Sequence, residues 1–177
     1  MSTVVESTAT TPKVVALEIT GACQLQCTQC FAESGPHGTH GAMTADDWRR
    51  VISDAASLGV REVQLIGGEP TMHPAWAELV DHALCLGIGV EVYSNLFHIK
   101  PGWWSALARE GVKLATSYYS DRAEEHDAIT TGRGATSGPG PTSPRPYGAV
   151  SRCASASCPS CGGNAWPRRA GNWKHSA

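Results

Sequence analysis

The sequence has no apolar run that approaches the about 20 residues needed to cross a bilayer. Its first 13 residues, MSTVVESTATTPK, have neither a basic start nor a continuous hydrophobic segment, so they do not predict a secretory signal. The seven cysteines are an odd number, which argues against a secreted disulfide scaffold. We therefore expect a cytoplasmic protein with no membrane association, whose thiols are free to bind metal.

Acidic residues are missing from the last part of the sequence, because all 16 of them lie at or before Asp127. Residues 1–129 contain eight Lys and Arg, which gives this part a formal charge of −8. The remaining residues contain six Lys and Arg and no acid, which gives a charge of +6. A basic segment can bind nucleic acid, but these six positions are scattered rather than clustered. We therefore do not expect nucleic acid as a partner.

Leu and Ile are absent after Thr130, where Gly, Pro, Ser and Ala dominate. Such a composition cannot bury a hydrophobic core and predicts a disordered segment. We therefore divide the chain into a flexible N-terminus over residues 1–13, a folded core over 14–130 and a low-complexity, disordered tail over 131–177.

Within the core, short β-branched segments alternate with segments of helical periodicity. The predicted strands are 14–20, 62–66, 90–94 and 113–119. Four strand–helix units at intervals of about 25–30 residues predict an α/β fold with parallel strands and right-handed crossovers. Ligands bind to such sheets at the carboxyl ends of the strands.

The predicted helices carry start and stop signals. Thr44 is a predicted N-cap, with Asp47 as its capping-box partner. Pro74 suits the first position of the second helix. A glycine follows each of these two helices, and a third helix is predicted around residues 102–110.

Three cysteines, Cys23, Cys27 and Cys30, directly follow the first predicted strand with the spacing C-x3-C-x2-C. A four-iron cubane normally takes four thiolates, so three cysteines would leave one iron open for a small molecule. An open metal position is typical of a catalytic rather than a structural site. The alternative is a four-coordinate zinc site, for which His37 or His40 could supply the fourth ligand.

Glycine-rich or polar groups follow the other predicted strands. The GGEP sequence at 67–70 follows the second strand, Ser94-Asn95 ends the third, and Ser117 lies at the fourth. Glycine lets the backbone approach a ligand closely, and an ammonium group needs carbonyl oxygens and a carboxylate as acceptors. Because the strands are parallel, we expect these groups and the cysteines to share one edge of the sheet.

The cysteine loop and GGEP together resemble the radical S-adenosylmethionine (SAM) superfamily, over residues 14–130. The resemblance implies a partial (βα) barrel in which a 4Fe–4S cluster binds three cysteines and SAM chelates its open iron. The implied metal ligands are Cys23, Cys27 and Cys30, and no catalytic side chain is implied. The implied cofactor-binding residues are Gln29, Gly67, Gly68, Glu69, Pro70, Ser94, Asn95 and Ser117.

The resemblance also implies a reaction. An electron donor of the flavodoxin or ferredoxin type would reduce the cluster, and SAM would be cleaved to methionine and a 5′-deoxyadenosyl radical. The radical would abstract hydrogen from a peptide or small-molecule substrate. The surrounding segments LEIT, CFAE and HDAIT resemble members that modify peptides or build natural products.

The sequence departs from the family pattern in two ways. Gln29 stands where the family usually has an aromatic residue. The family core has about six strand–helix units, whereas four are predicted here, followed by the low-complexity tail. We therefore hypothesise a truncated or frameshifted radical SAM protein. The alternative function is an inactive or non-catalytic iron–sulfur-binding fragment of such an enzyme.

Four further cysteines lie outside the loop. Cys85 falls within a predicted helix among apolar residues, where a small core residue is expected. Cys153, Cys158 and Cys161 have the spacing C-x4-C-x2-C. This spacing leaves open a second cluster, but the surrounding composition favours incidental cysteines.

Overall fold

The computed structural model describes residues 12–132. The predictions of a flexible N-terminus and a disordered tail therefore lie, almost entirely, outside the described residues. The second cysteine group (Cys153, Cys158 and Cys161) also lies outside them.

Four strands form one parallel sheet in chain order. They are β1 Val14–Thr20, β2 Glu62–Gly67, β3 Gly89–Tyr93 and β4 Val112–Ala115. The helices are α1 Ala45–Ser57, α2 Trp76–Cys85, α3 Trp104–Leu107 and α4 Ala123–Thr130, with 3-10 turns at Pro70–Met72 and Pro101–Trp103. The predicted α/β fold with four strand–helix units is confirmed.

The two faces of the sheet differ in chemistry because alternate strand residues point to opposite sides. One face is apolar and packs against the helices, with Val63, Leu65 and Val92 fully buried beside Ile52 and Leu79. Fully burying each such side chain contributes about 1.5–3 kcal/mol. The other face carries polar residues, so it is suited to contact a ligand rather than a core.

The boundaries of the first two helices follow the predicted signals. Thr44 and Asp47 form the capping box, since the Asp47 amide donates to Thr44 Oγ1 at 3.2 Å and the Thr44 amide donates to Asp47 Oδ2 at 2.9 Å. Gly59 (φ 85°) and Gly87 (φ 75°) follow the two helices in the left-handed region, which glycine adopts without steric cost.

Three predicted boundaries are wrong by two residues or more, whereas those of β2 and β3 differ by one residue. Helix α2 begins at Trp76, so Pro74 lies in the turn before it rather than at its first position. The helix predicted at 102–110 is a 3-10 turn followed by the four residues of α3. Strand β4 ends at Ala115 instead of 119, because Tyr93, the last residue of β3, is its final partner.

The helices of residues 12–132 include none that is long and apolar enough to span a membrane.

Candidate functional site

The carboxyl ends of the strands border a cavity of about 380 Å³. Part of its wall is the polar face of the sheet, where Glu18 and Gln64 lie. The structure brings most of the predicted site residues to this cavity. Those that line it are Cys23, Cys27, Gln29, Cys30, Gly67, Gly68, Ser94, Asn95 and Ser117.

The three cysteines lie on the loop that leaves β1. Cys23 is buried, whereas Cys27 and Cys30 are half-buried. The Leu25 amide and the Asn95 side-chain amide each come within 3.4 Å of Cys23 Sγ, and the Ser34 amide lies 3.3 Å from Cys30 Sγ. N–H groups directed at sulfur stabilise a thiolate, so this loop is equipped to hold anionic sulfur ligands.

Burial raises the pKa of two of these thiols and so favours their protonated form. Burial is the main cause that raises the pKa of Cys23, and the Leu25 N–H opposes it in part. Burial also raises the pKa of Cys27, and the neighbouring Cys30 thiol group acts in the same direction. Any metal that these thiols bound would therefore have to displace protons, so its binding would be more favourable at higher pH.

The turn after β2 lies directly against the start of the cysteine loop. The Gly68 amide donates to Thr20 O at 2.8 Å, and the Glu69 amide donates to Ala22 O at 2.9 Å. A Cβ atom on Gly67 would lie 2.1 Å from Thr20 O, and one on Gly68 would lie 2.3 Å from Ala22 O. Only glycine fits at both positions, because these contacts are with rigid backbone atoms.

The Glu69 carboxylate has a different position from the one the sequence suggested. It is 1% exposed and does not line the cavity. Its Oε1 accepts from the Thr71 amide and hydroxyl at 3.1 and 2.6 Å, while Oε2 accepts from the Ser94 hydroxyl at 3.1 Å and the Asn95 amide at 2.8 Å. Glu69 thus joins the ends of β2 and β3 beneath the site. Pro70 is also buried and does not line the cavity.

The polar pair after β3 is bound into the same network. The Ser94 hydroxyl, besides donating to Glu69, accepts from the Leu96 amide at 3.1 Å. The Asn95 side-chain oxygen Oδ1 accepts from Gln24 Nε2 at 3.0 Å, and the side-chain Nδ2 of Asn95 faces Cys23 Sγ. Asn95 therefore links β3 to the first cysteine and fixes the position of its sulfur.

The other two predicted contacts lie at the outer part of the cavity. Ser117 lies two residues beyond the end of β4, and its hydroxyl is 3.3 Å from that of Tyr93. Gln29 is exposed on the cysteine loop.

Helix α4 adds residues that the sequence did not assign to the site. His126 and Thr130 of this helix line the cavity, as does Tyr119 before it. The helix docks on the cysteine loop, since the Thr28 amide donates to Ile129 O at 2.9 Å and the Thr131 hydroxyl donates to Gln26 O at 2.8 Å. The HDAIT segment was identified in the sequence only by its resemblance to the family, and the docking of α4 brings His126 to the cavity.

Two histidines, His37 and His40, were considered above as the fourth ligand of a zinc site. Neither His37 nor His40 lines the cysteine cavity. His40 Nδ1 is 2.8 Å from Thr20 Oγ1, and its ring packs edge-on against His73.

Comparison with known proteins assigns the chain to a family. The model of the radical SAM superfamily matches residues 17–133. The chain belongs to this superfamily.

Two relatives are named as enzymes, one as a peptide cyclase and one as a maturase. The PqqA peptide cyclase of Bradyrhizobium diazoefficiens is 41% identical over 85 residues, which are 48% of this chain and 21% of the relative. The mycofactocin maturase MftC of Mycobacterium tuberculosis is 33% identical over 119 residues, which are 67% of this chain and 30% of the relative. The chain therefore spans about a fifth to a third of the length of these relatives.

A solved structure shares the fold. Streptococcus suis SuiB bound to the precursor peptide SuiA superposes with a TM-score of 0.63 at 25% identity, covering 70% of this chain and 28% of SuiB. SuiB bound to S-adenosylmethionine superposes with a TM-score of 0.62 at 24% identity, covering 69% and 28%.

Proposed function

We propose that this chain is the initiating core of a radical SAM enzyme that modifies a peptide. Cys23, Cys27 and Cys30 would hold a 4Fe–4S cluster, and SAM would occupy the adjacent cavity. The observation that carries this proposal is the shared cavity: the three thiols and the Gly67-Gly68 turn line the same 380 Å³ space. Membership of the superfamily supports it.

The donor set fits a cluster better than a single metal ion. Among residues 12–132, no three His, Cys, Asp or Glu side chains are grouped around one point where an ion could bind. A cubane presents a different iron to each thiolate, so its ligands need not share such a point. Zinc would require four ligands around one ion. The N–H groups that face Cys23 and Cys30 are also the donors expected around cluster ligands.

Each part of the cavity has a role in this proposal. The backbone of Gly67 and Gly68 would approach the amino-acid part of SAM closely, because no Cβ intervenes. Ser94, Asn95, Ser117 and Gln29 would provide polar contacts. Glu69 and Pro70 would act indirectly from below the cavity. Glu69 would do so by fixing Ser94 and Asn95 in place.

When bound, the cluster would supply one electron to SAM, releasing methionine and a 5′-deoxyadenosyl radical that abstracts hydrogen from the substrate. The reductant would be a flavodoxin- or ferredoxin-type protein in the cytoplasm. A peptide substrate is supported by the name of the peptide cyclase relative and by the precursor peptide SuiA bound to SuiB. The chain's own residues would position SAM and exclude water.

The test is anaerobic reconstitution of the full chain with iron and sulfide, followed by addition of SAM and dithionite. We expect about four irons per chain, visible absorbance, and production of 5′-deoxyadenosine. The variant with Cys23, Cys27 and Cys30 changed to Ala should lose all three signals. Cys85→Ala is the matched control, because Cys85 lies on α2 outside the cavity, and it should retain them.

The outcomes separate the candidate functions. A protein that binds the cluster but yields no 5′-deoxyadenosine would favour the non-catalytic iron–sulfur-binding role. A colourless protein that contains zinc would contradict both iron–sulfur functions.

A further inference from the structure

A second cavity lies beside the one that the cysteines line. Its volume is about 460 Å³. Its wall comes from the end of β1, the loop 39–43 and the start of α1. Glu18 lines both cavities, so the two spaces meet at this residue. A molecule bound in the second cavity would therefore lie next to the occupant of the first.

The Glu18 carboxylate is accessible and unpaired. Glu18 is exposed on the polar face of the sheet, so a ligand can reach it. In the part of the chain that the structure describes, no group hydrogen-bonds to its carboxylate or forms an ion pair with it. Two other carboxylates of this face do have partners, since Glu62 pairs with Lys113 and Glu91 accepts from Gln64 Nε2. Glu18 is therefore available to a ligand in a way that these two are not.

The rest of the wall suits the apolar stem of a long side chain. Met43 is 38% exposed, and Trp48 is half-buried, with part of its surface packed against the core. Both residues line the second cavity. Lys and Arg side chains cover apolar surface with their methylene groups while the charge stays at a polar end, and an indole ring attracts a cation over its face. A carboxylate beside a thioether and an indole thus matches a basic side chain.

We propose that the second cavity binds a Lys or Arg side chain of the peptide substrate, with its cation at Glu18. This inference rests on the proposed function, because it takes SAM as the occupant of the first cavity and a peptide as the substrate. Hydrogen abstraction requires the substrate to touch the space that SAM occupies, and the second cavity adjoins that space at Glu18. The formal charge of −8 on residues 1–129 also attracts a basic peptide.

The experiment follows the methyl group of Met43 by NMR. The full chain has three methionines, so ¹³C-methyl labelling gives few signals, and Met43→Leu assigns the one in the cavity. The probes are capped pentapeptides of alanine whose central residue is Lys, Arg, norleucine or Glu. Met72 is the internal reference, because it is 41% exposed and lines neither cavity.

We expect the Lys and Arg probes to shift the Met43 signal with a Kd roughly 2- to 5-fold lower than that of the norleucine probe, the range for one accessible ion pair. Salt at about 0.5 M should remove this advantage, because it screens accessible charges. The Met72 signal should not respond to any probe.

Charge variants make the test independent of how the probe backbone binds. Glu18→Gln should abolish the preference for Lys over norleucine, and its unfolding temperature should match the wild type, because Glu18 is exposed. Glu18→Lys should reverse the preference, so that the Glu probe binds more tightly than the Lys probe. Glu91→Gln is the matched control. It removes a carboxylate from the same face of the sheet but lines neither cavity, and it should keep the wild-type preference.

A titration in the presence of SAM shows whose cation Glu18 binds. The full chain is loaded anaerobically with iron and sulfide and saturated with SAM before the probes are added. We expect the Lys preference to persist, because the probe occupies the adjoining cavity. Its loss would show that the ammonium group of SAM itself occupies Glu18 and would overturn the inference.

The remaining outcomes separate the inference from the proposed function. Equal binding of the Lys and norleucine probes by the wild type and by Glu18→Gln would overturn the inference and leave the proposed function intact. A chain that prefers the Lys probe but binds neither a cluster nor SAM would overturn the proposed function, and with it the role of the second cavity in holding a substrate.

Discussion

Glu69 is the residue that joins the two halves of the candidate site. Its buried carboxylate binds Thr71 after β2 and Ser94 and Asn95 after β3. Asn95 in turn contacts Cys23 Sγ. The carboxylate accepts four hydrogen bonds, so it is satisfied despite its burial. Through Asn95, it links the end of β3 to the first cysteine.

Glu69→Gln should lower the free energy of unfolding by about 1–3 kcal/mol. The substitution replaces one acceptor oxygen with an NH2 group, which cannot accept from the N–H and O–H donors that face it. Urea unfolding of the full chain measures this change. Glu110→Gln is the control, since Glu110 is exposed, and it should change stability by less than about 0.5 kcal/mol. Equal stability of the two variants would contradict the bridging role of Glu69.

Gly68→Ala should displace the turn from the cysteine loop. The new Cβ would lie 2.3 Å from Ala22 O and 3.0 Å from Cys23 Cβ, so either the turn or the first cysteine must move. We expect a loss of roughly 1–3 kcal/mol in stability and a lower iron content after reconstitution. Gly102→Ala is the matched control, because a Cβ atom on Gly102 would extend into open space, with no contact within 4 Å. Normal iron content in Gly68→Ala would show that the close approach is dispensable.

At the scale of elements, the contact between α4 and the cysteine loop attaches this loop to a second element besides the sheet. Thr131 adopts φ 54° and donates its hydroxyl to Gln26 O at 2.8 Å. Beside it, the Thr28 amide donates to Ile129 O. These bonds fix the middle of the loop that carries all three cysteines.

Thr131→Val should loosen this contact, because it removes the hydroxyl while keeping the β-branched shape. Amide hydrogen exchange at Thr28 should become roughly 2- to 10-fold faster, since its bond to Ile129 O would open more often. Ser105→Ala serves as the comparison. It removes a similar side-chain bond, to Gly102 O at 2.7 Å, and should leave Thr28 unaffected. Unchanged exchange at Thr28 in Thr131→Val would mean that the hydroxyl does not hold the loop.

The sequence predicted those elements whose signals are local. The Thr44–Asp47 capping box and the glycines after α1 and α2 depend only on neighbouring residues, so their boundaries were predictable. The end of β4 was not, because the segment 116–119 remains rich in aromatic residues after its partner strand has ended at Tyr93. The role of Glu69 and the orientation of His126 also depend on contacts between distant elements.

At the scale of the whole molecule, the parallel order of the strands places the site. Each strand runs in the same direction, so the segments that follow β1, β2 and β3 all emerge at one edge. The alternation of strands and helices was sufficient to predict this convergence. The cavity itself required the structure, since α4 closes one side of it.

Iron binding should stabilise the whole fold, because the proposed cysteine ligands belong to a loop that contacts β2, β3 and α4. Removal of iron from the reconstituted full chain by an anaerobic chelator should lower the unfolding temperature by at least about 5 °C. The variant with Cys23, Cys27 and Cys30 changed to Ala should show no such response. If the chelator leaves the unfolding temperature unchanged, metal binding is not coupled to folding.

The docking of α4 on the cysteine loop also means that the surroundings of the cysteines are completed late in synthesis. Thr28 and Ile129 are 101 residues apart in the chain. At a synthesis rate of about 5–20 residues per second, the cysteines leave the ribosome roughly 5–20 s before the helix that completes their surroundings. During that interval the thiols are exposed to oxidants and to competing metals. If the chain holds the proposed cluster, we expect its assembly to depend on the reducing conditions under which the chain is made.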